Sequence, residues 1–449
     1  MSRLFGTSGI RGVVNLDLKP EIILDIGSAL AACFENSGTI VLGKDPRLSS
    51  DMLEGCLVSG ILSGGCDVKK IGLAPTPAVG FATPHFGAKA GIMITASHNP
   101  PEFNGVKFFG SDGMAFTPGQ EEKIENAYFS GRTKAAPWNE IGNVDEVDIL
   151  PYYIEKIVGS VSLSRGYKVV VDCACGAGAL ATPFILRELG CKVIALNSQL
   201  DGFFPGRALE PTPENLQALG KIVKSLGADI GLAHDGDADR IAAVDDKGRV
   251  VGWDKMLALM SAHSVERSGG KVVTTVDASM IVDELVNSTG GEVVRTRVGD
   301  VAVAQAVKSN RAVFGGEPSG AWIFPEVHIC PDGPLAGAKI LEMIDGAAKP
   351  LSKLADDVPE YPVVRDKIRC PNAKKVAVMR RVATRAKKAF EGVGKVLTID
   401  GVRLTLDDGA WVLIRPSGTE PYIRITAEAR YAERANALVK DAKELIGRW

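Results

Sequence analysis

Two short stretches carry residue types that act together in group transfer. Ile94-Thr95-Ala96-Ser97-His98-Asn99-Pro100-Pro101 follows an apolar run, Gly91-Ile92-Met93-Ile94, that reads as a buried strand ending where small and polar residues begin. A serine on a loop at the carboxyl end of a strand, beside His98 and Asn99, is placed as a nucleophile. Far downstream, Asp235-Gly236-Asp237-Ala238-Asp239-Arg240 sets three carboxylates at alternate positions before an arginine. Hard oxygen ligands of this kind suit Mg²⁺, and a guanidinium suits phosphate. Three carboxylates so close repel one another without a cation. An EF-hand loop is excluded, because its glycine and bidentate glutamate positions hold Arg240 and Asp246. Taken singly, Ser97 also fits a helix cap or a turn, and the aspartates a solvated acidic turn. Taken together, they point to phosphoryl transfer through a serine hydroxyl.

Further residues suit the same chemistry. Lys107 follows Ser97 by ten positions and can fold back as an acid/base group. A buried lysine beside cations is expected to have a lowered pKa. Ile414-Arg415-Pro416-Ser417-Gly418-Thr419-Glu420-Pro421 offers arginine, hydroxyls and a glycine for wrapping phosphate, and Arg424 can add a contact. Gly315-Gly316-Glu317-Pro318-Ser319-Gly320 places Glu317 and Ser319 where they can bond vicinal sugar hydroxyls, although such a loop is often a plain turn. Arg11, in Phe5-Gly6-Thr7-Ser8-Gly9-Ile10-Arg11-Gly12, is a further phosphate ligand or a surface arginine on a turn. Gly176-Ala177-Gly178-Ala179-Leu180-Ala181 formally fits a dinucleotide fingerprint. No acid stands at the ribose position downstream, so a close-packed strand-to-helix turn is expected there.

The elements that must hold these loops show a repeat. Thr39-Ile40-Val41-Leu42, Lys168-Val169-Val170-Val171-Asp172 and Lys271-Val272-Val273-Thr274-Thr275 each read as a strand followed by a helical pattern. Each pattern stops at a glycine (Gly65, Gly190, Gly290) before a second apolar run. The glycine supplies a left-handed cap. Three strand–helix–strand units imply three sibling α/β domains. The pattern lapses near Ala136-Pro137-Trp138, after Asp246-Lys247-Gly248, and at Val358-Pro359-Glu360-Tyr361-Pro362. Beyond the last lapse come a basic helix over Ala373 to Phe390, short strands, and a final helix through Ala432 to Ile446, an α+β texture. The expected domains are 1–150, 151–252, 253–358 and 359–449.

Bulk composition agrees. The chain has 449 residues, 45% hydrophobic and 24% charged, with a net charge of -2. Length implies three or four domains, and the charge gives no basic field for nucleic acid. No run approaches the length of a membrane span, and the amino terminus lacks the apolar core of a signal peptide, so a cytoplasmic protein is expected. The eight scattered cysteines read as reduced, buried thiols. No heptad pattern or long apolar helix face announces a partner chain, which leaves monomer and dimer both open.

With F-G-T-S-G-I-R-G, T-A-S-H-N-P, D-G-D-A-D-R, G-E-P-S-G and R-P-S-G-T-E-P in this order and spacing, the whole chain resembles the α-D-phosphohexomutases. The resemblance implies four domains around a central cleft, three alike with mixed sheets and a C-terminal α+β domain. It implies that Ser97 is the phosphorylated serine and, with Asp235, Asp237 and Asp239, a ligand of Mg²⁺. Lys107 would be the general acid/base, with Arg11 and His98 beside it. Glu317 and Ser319 would select sugar hydroxyls, Arg240 would bind substrate, and Arg415, Ser417, Gly418 and Thr419 would grip the unreactive phosphate. The reaction implied interconverts hexose 6-phosphate and hexose 1-phosphate, with hexose 1,6-bisphosphate as intermediate and activator. Val298-Gly299-Asp300 resembles the branch that acts on glucosamine phosphates, and mannose and glucose phosphates are the alternative. Pro318 and Ala321 depart from the G-E-Q-S-G-H of the bacterial glucosamine enzymes, and the Gly-Glu-Pro-Ser-Gly form is similar to archaeal members. A Mg²⁺-dependent sugar-phosphate phosphatase is the rival from another class, but it would leave Ser97 and the Arg415 loop without roles. A sugar-phosphate binding protein without activity is the third possibility.

Overall fold

The three repeats build three sheets with one wiring. In the computed structural model, which describes residues 4–6, 9–131, 133–418 and 420–447, the first sheet places Asp67–Leu73, Thr39–Lys44, Ala90–Ile94 and Phe103–Gly110 side by side in that order. The second places Lys192–Leu196, Lys168–Asp172, Ile230–His234 and Ile241–Val244 likewise. The third places Glu292–Thr296, Lys271–Thr275, Phe314–Gly316 and Trp322–Ile323. In each, three strands run parallel and the fourth returns antiparallel. Helices cover the parallel strands, which is why these read as unbroken apolar runs; Ala90–Ile94 is buried throughout. Edge strands Ile10–Val13 and Val144–Glu146 widen the first sheet, and Val250–Val251 the second.

Gly65, Gly190 and Gly290 adopt φ of 86°, 81° and 80° just past the helices Ser50–Ser63, Thr182–Glu188 and Met280–Ser288. These are the left-handed caps the sequence called for. The repeat visible in the sequence covers the first two strands of each unit. The structure continues each unit with a third strand, which in the first unit is the apolar run ahead of Ser97, and an antiparallel return. It thereby puts the Ser97 loop, the aspartate loop and the Glu317 loop at one topological place, the turn out of the third strand.

The fourth unit is an antiparallel sheet of five strands under two helices, Asn372–Ala389 and Ala432–Ile446. It has its own apolar core around Val382, Leu404, Ile425 and Leu438. The first three units share one larger core. At its centre the helix Gly333–Ala347 is buried on most sides, so its sequence is apolar nearly all round. Its amino end, capped by Asp332, meets the aspartate loop, where Gly333 N donates to Ala238 O. All eight cysteines are free thiols, and no described helix is long and apolar enough to cross a membrane.

Candidate active site

Ser97 lies just beyond strand Ala90–Ile94, buried, at φ 53°. A left-handed serine is strained, and such strain concentrates at working sites. Its amide donates to Thr95 Oγ1 at 2.8 Å, and its carbonyl accepts from Arg47 Nη2 at 2.9 Å. Its hydroxyl donates to Asp235 Oδ2 at 2.6 Å. That contact joins loops 138 residues apart and is possible because Gly236 lacks a side chain: a Cβ there would lie 2.6 Å from Ser97 O.

The tight turn between strands Ile230–His234 and Ile241–Val244 gathers Asp235, Asp237 and Asp239, with one oxygen from each lying within 4.8 Å of the others. Burial, then Asp239 and Asp237, pushes Asp235 well above the usual carboxylate range. Burial also acts to raise Asp237, but Lys107 and the Thr76 hydroxyl outweigh it and hold this carboxyl below the usual range. Asp237 Oδ1 and Asp239 Oδ1 are buried without a hydrogen-bond partner among the described residues. Two orphaned carboxylate oxygens beside a third carboxylate and a hydroxyl fit a hard divalent cation.

Lys107, on the return strand Phe103–Gly110, donates to Asp237 Oδ2 and Asp239 Oδ2, both at 2.7 Å. The expected lowering of its pKa is reversed here. Burial alone would lower it, but the two carboxylates raise it and keep the ammonium charged. His98 Nδ1 stands 3.4 Å from Ser97 Oγ. Burial and the nearby Arg240 lower its pKa, which favours the neutral ring. Arg11, on strand Ile10–Val13, donates to Asn99 Oδ1 at 3.1 Å. Arg240 donates to Glu210 at 3.3 Å and carries its guanidinium 4.0 Å from Asp239.

The third loop docks on the second. Ile241 N donates to Gly320 O, and Gly320, at φ 82°, sits where a Cβ would be 2.1 Å from Ile241 O. Glu317 accepts from Gly299 N at 2.7 Å and is pushed up to about 7 by burial and by Asp300. Ser319 is half-buried beside it. A cleft of about 660 Å³ opens between Gly6, Phe116 and Glu121 on one side and Val298, Gly299 and Asp300 on the other, with Ile399 of the fourth unit at its edge. This is the size of a small-ligand site.

Arg415, Ser417 and Gly418 form a second cluster on the fourth unit. Arg415 pairs with Asp400 at 3.0 Å, and Asp400 also accepts from Val298 N at 3.3 Å. The cluster is thus tied to the loop that holds Glu317. Ser417 Oγ accepts from Glu420 N at 3.1 Å, and Lys375 donates to the carbonyls of Ser417 and Glu420, closing the turn. Arg424 pairs with Glu420 on the exposed face. Thr419 lies outside the described residues. Sequence reasoning missed Arg47, Thr76, Lys375 and Asp400. The one local signal was Asp45-Pro46-Arg47, an acid and a base directly after an apolar strand. The glycine-rich segment 176–181 is the expected close-packed turn: a Cβ on Gly176 would lie 2.4 Å from Gly236 O, and one on Gly178 3.0 Å from the His234 ring.

The Ser97 hydroxyl thus bonds one of three clustered carboxylates, with Arg11 on its loop and Arg240 beside Asp239. Models of phosphoglucomutase/phosphomannomutase α/β/α domains I, II and III match residues 2–135, 151–248 and 253–361, and that of the C-terminal domain matches 367–445. A probable phosphoglucosamine mutase of Methanothermobacter thermautotrophicus is 50% identical over 96% of this chain and 95% of its own length. One of Methanopyrus kandleri is 49% identical over 100% of this chain and 98% of its own. The crystal structure of a phosphoglucomutase/phosphomannomutase family protein from Burkholderia thailandensis superposes with a TM-score of 0.88 at 28% identity, covering 99% of this chain and 96% of that one. The chain belongs to the phosphoglucomutase/phosphomannomutase family, the α-D-phosphohexomutases, which are isomerases.

Proposed function

We propose that this protein interconverts glucosamine 6-phosphate and glucosamine 1-phosphate through a phosphorylated Ser97 and a glucosamine 1,6-bisphosphate intermediate. The observation that carries the reading is the 2.6 Å contact between Ser97 Oγ and Asp235 Oδ2, inside a carboxylate group with two unsatisfied oxygens. The glucosamine preference rests on the names of the archaeal relatives at about half identity.

Asp235, Asp237, Asp239 and the Ser97 oxygen would hold Mg²⁺, whose charge offsets that of the phosphoryl oxygens. The chain's own residues do the rest. The sugar hydroxyl attacks phosphorus, its proton passes to a base, and the bond from phosphorus to Ser97 Oγ breaks. Neutral His98, whose Nδ1 stands 3.4 Å from Ser97 Oγ, would take a proton there, and the charged Lys107 would serve as the acid. Arg11 and Arg240 stabilise the charge that spreads over the transferring group. Glu317 and Ser319 bond the sugar hydroxyls, while Arg415, Ser417, Gly418 and Thr419 hold the distal phosphate. The bisphosphate then turns over in the cleft, and Ser97 takes back the other phosphoryl group. Closure by the fourth domain excludes water, which would otherwise hydrolyse phosphoserine. The protein works in the cytoplasm, on free phosphosugars, as a monomer or a dimer.

The test compares rates on glucosamine, mannose and glucose 6-phosphates with trace bisphosphate present. The expected outcome is 1-phosphate formation, fastest with glucosamine. Faster turnover of mannose or glucose phosphate would move the assignment to the other branch. Release of free phosphate would make the protein a phosphatase.

A further inference from the structure

The Ser97 peptide is held from both sides by a pair that no step of the reaction uses. Asp45 and Arg47 follow strand Thr39–Lys44 and are both buried. Asp45 Oδ2 accepts from Arg47 Nε at 3.0 Å and from Thr95 Oγ1 at 2.7 Å, and Thr95 Oγ1 in turn accepts from Ser97 N at 2.8 Å. Arg47 spends its two terminal nitrogens on four carbonyls of the loop: Ser97 and Asn99 from Nη2, Pro100 and Phe103 from Nη1. One guanidinium thus fixes the turn that keeps Ser97 at positive φ. A planar fork can do this, whereas an ammonium cannot reach four acceptors.

The second unit has a matching device. Buried Asp172 pairs with Arg207 at 2.9 Å, and Arg207 donates to His234 O, the carbonyl just before Asp235. The segment Asp201–Arg207 joins the two. Gly202 lies against the Pro46–Leu48 backbone, where a Cβ would be 2.5 Å from Pro46 O. Phe204 is buried and lays its ring 5.0 Å from the Arg47 guanidinium carbon. It packs with Leu209, whose side chain closes on Gly236. A desolvated guanidinium over an aromatic face is attracted to it.

We propose that Arg47 and Phe204 are positioning residues for phosphoryl transfer: Arg47 clamps the Ser97 peptide, and Phe204 locks that clamp in register with the aspartate loop. This rests on the reading of Ser97 as the phosphoryl carrier. Both side chains are buried. Both act through the Ser97–Asp235 distance, and a misplacement of about 1 Å costs about a hundredfold in rate.

The experiment uses full-length wild type, Arg47→Lys, Phe204→Ala and Phe204→Tyr. Each is dephosphorylated and given glucose 1,6-bisphosphate, and Ser97 phosphorylation is timed by intact mass and peptide mapping. Sugar-phosphate kcat and KM are measured alongside, with amide exchange of peptides covering 94–100 and 411–416. Arg47→Lys and Phe204→Ala should slow Ser97 phosphorylation and kcat by about a hundredfold, with KM changed by less than about threefold. Exchange should rise over 94–100 and stay unchanged over 411–416, and Phe204→Tyr, which keeps the ring face, should recover most of the rate. The proposal is overturned if Arg47→Lys and Phe204→Ala are phosphorylated at the wild-type rate. It is equally overturned if exchange rises in both peptides and Tyr is no better than Ala. Wild type that takes no phosphoryl group on Ser97 would sink the functional reading instead, and the exchange data would still decide the clamp.

Discussion

Charge around Ser97 is offset in part by the chain itself. Lys107 lies against two of the three aspartates, and its ammonium answers their repulsion. Its ion pairs make it a stabiliser of the carboxylate group, and the proposed reaction also gives it a proton to move. Lys107→Ala should therefore lower kcat by about 10²–10⁴-fold, the usual worth of a positioned acid/base, with a smaller effect on KM. Steady-state rates with saturating bisphosphate check this, and an unchanged kcat would remove Lys107 from the proton path. Ser97 and the aspartates were legible because each set lies in one continuous loop after an apolar strand. Arg47, Thr76 and Asp400 were not, because their roles consist of contacts with residues distant in sequence. The charge state of Lys107 was misjudged for the same reason: its partners are 130 and 132 residues away.

At the scale of elements, one wiring used three times brings three different loops to one place. The sequence showed the first strand, helix and second strand of each unit, because apolar runs and stop glycines are local signals. The return strand of the third unit was harder to see, since Trp322–Ile323 has two residues and its pairing is set by the loop before it. That loop depends on Gly320. Gly320→Ala should destabilise the third unit by about 1–3 kcal/mol through positive φ and the clash with Ile241 O, seen as a lower thermal midpoint. An unchanged midpoint would mean the loop is not held as described.

A second expectation concerns helix Trp253–Ser268. Near its amino end Asp254 accepts from Ser279 N and is pushed up to about 6 by burial, with Glu428 adding to the rise. Its folded value exceeds the ordinary 3.8. The folded state therefore holds more protons between those values, and stability falls as pH rises through about 4 to 6, then levels off. Asp254→Asn keeps the acceptor oxygen and should flatten that part of a thermal midpoint against pH curve. An identical slope in the variant would assign the effect elsewhere.

Across the whole molecule, the fourth domain has its own core but is bound to the third through buried polar groups. Glu428 accepts from Ser279 Oγ at 2.6 Å, Met280 N at 2.7 Å and Trp411 Nε1 at 2.6 Å, so one carboxylate joins a strand of the fourth unit to the start of a helix in the third. Arg403 reinforces the joint by donating to the carbonyls of Val276 and Ala278. Glu428→Ala leaves three buried donors unpaired, at about 1–3 kcal/mol each. It should loosen the fourth domain, speeding limited proteolysis in the 358–362 connection and raising KM more than it lowers kcat. Wild-type resistance to the protease would show that Glu428 is not the joint. The four-domain plan was legible in the sequence through its repeat and its change of texture after Pro362. How the domains seat on one another was not, because Glu428, Arg403 and Asp400 look like ordinary strand and turn charges until the chain is folded.

The central claim is that the Ser97 hydroxyl carries the phosphoryl group between positions of one sugar. Its most direct test is to load Ser97 from a hexose bisphosphate, remove excess donor, add one equivalent of glucosamine 6-phosphate, and follow phosphate on Ser97 and on the sugar by mass. The account predicts that Ser97 loses its phosphoryl group as glucosamine 1,6-bisphosphate appears in equal amount, with no loading in Ser97→Ala. Loading of Ser97→Ala, or discharge of the group as inorganic phosphate, would contradict it.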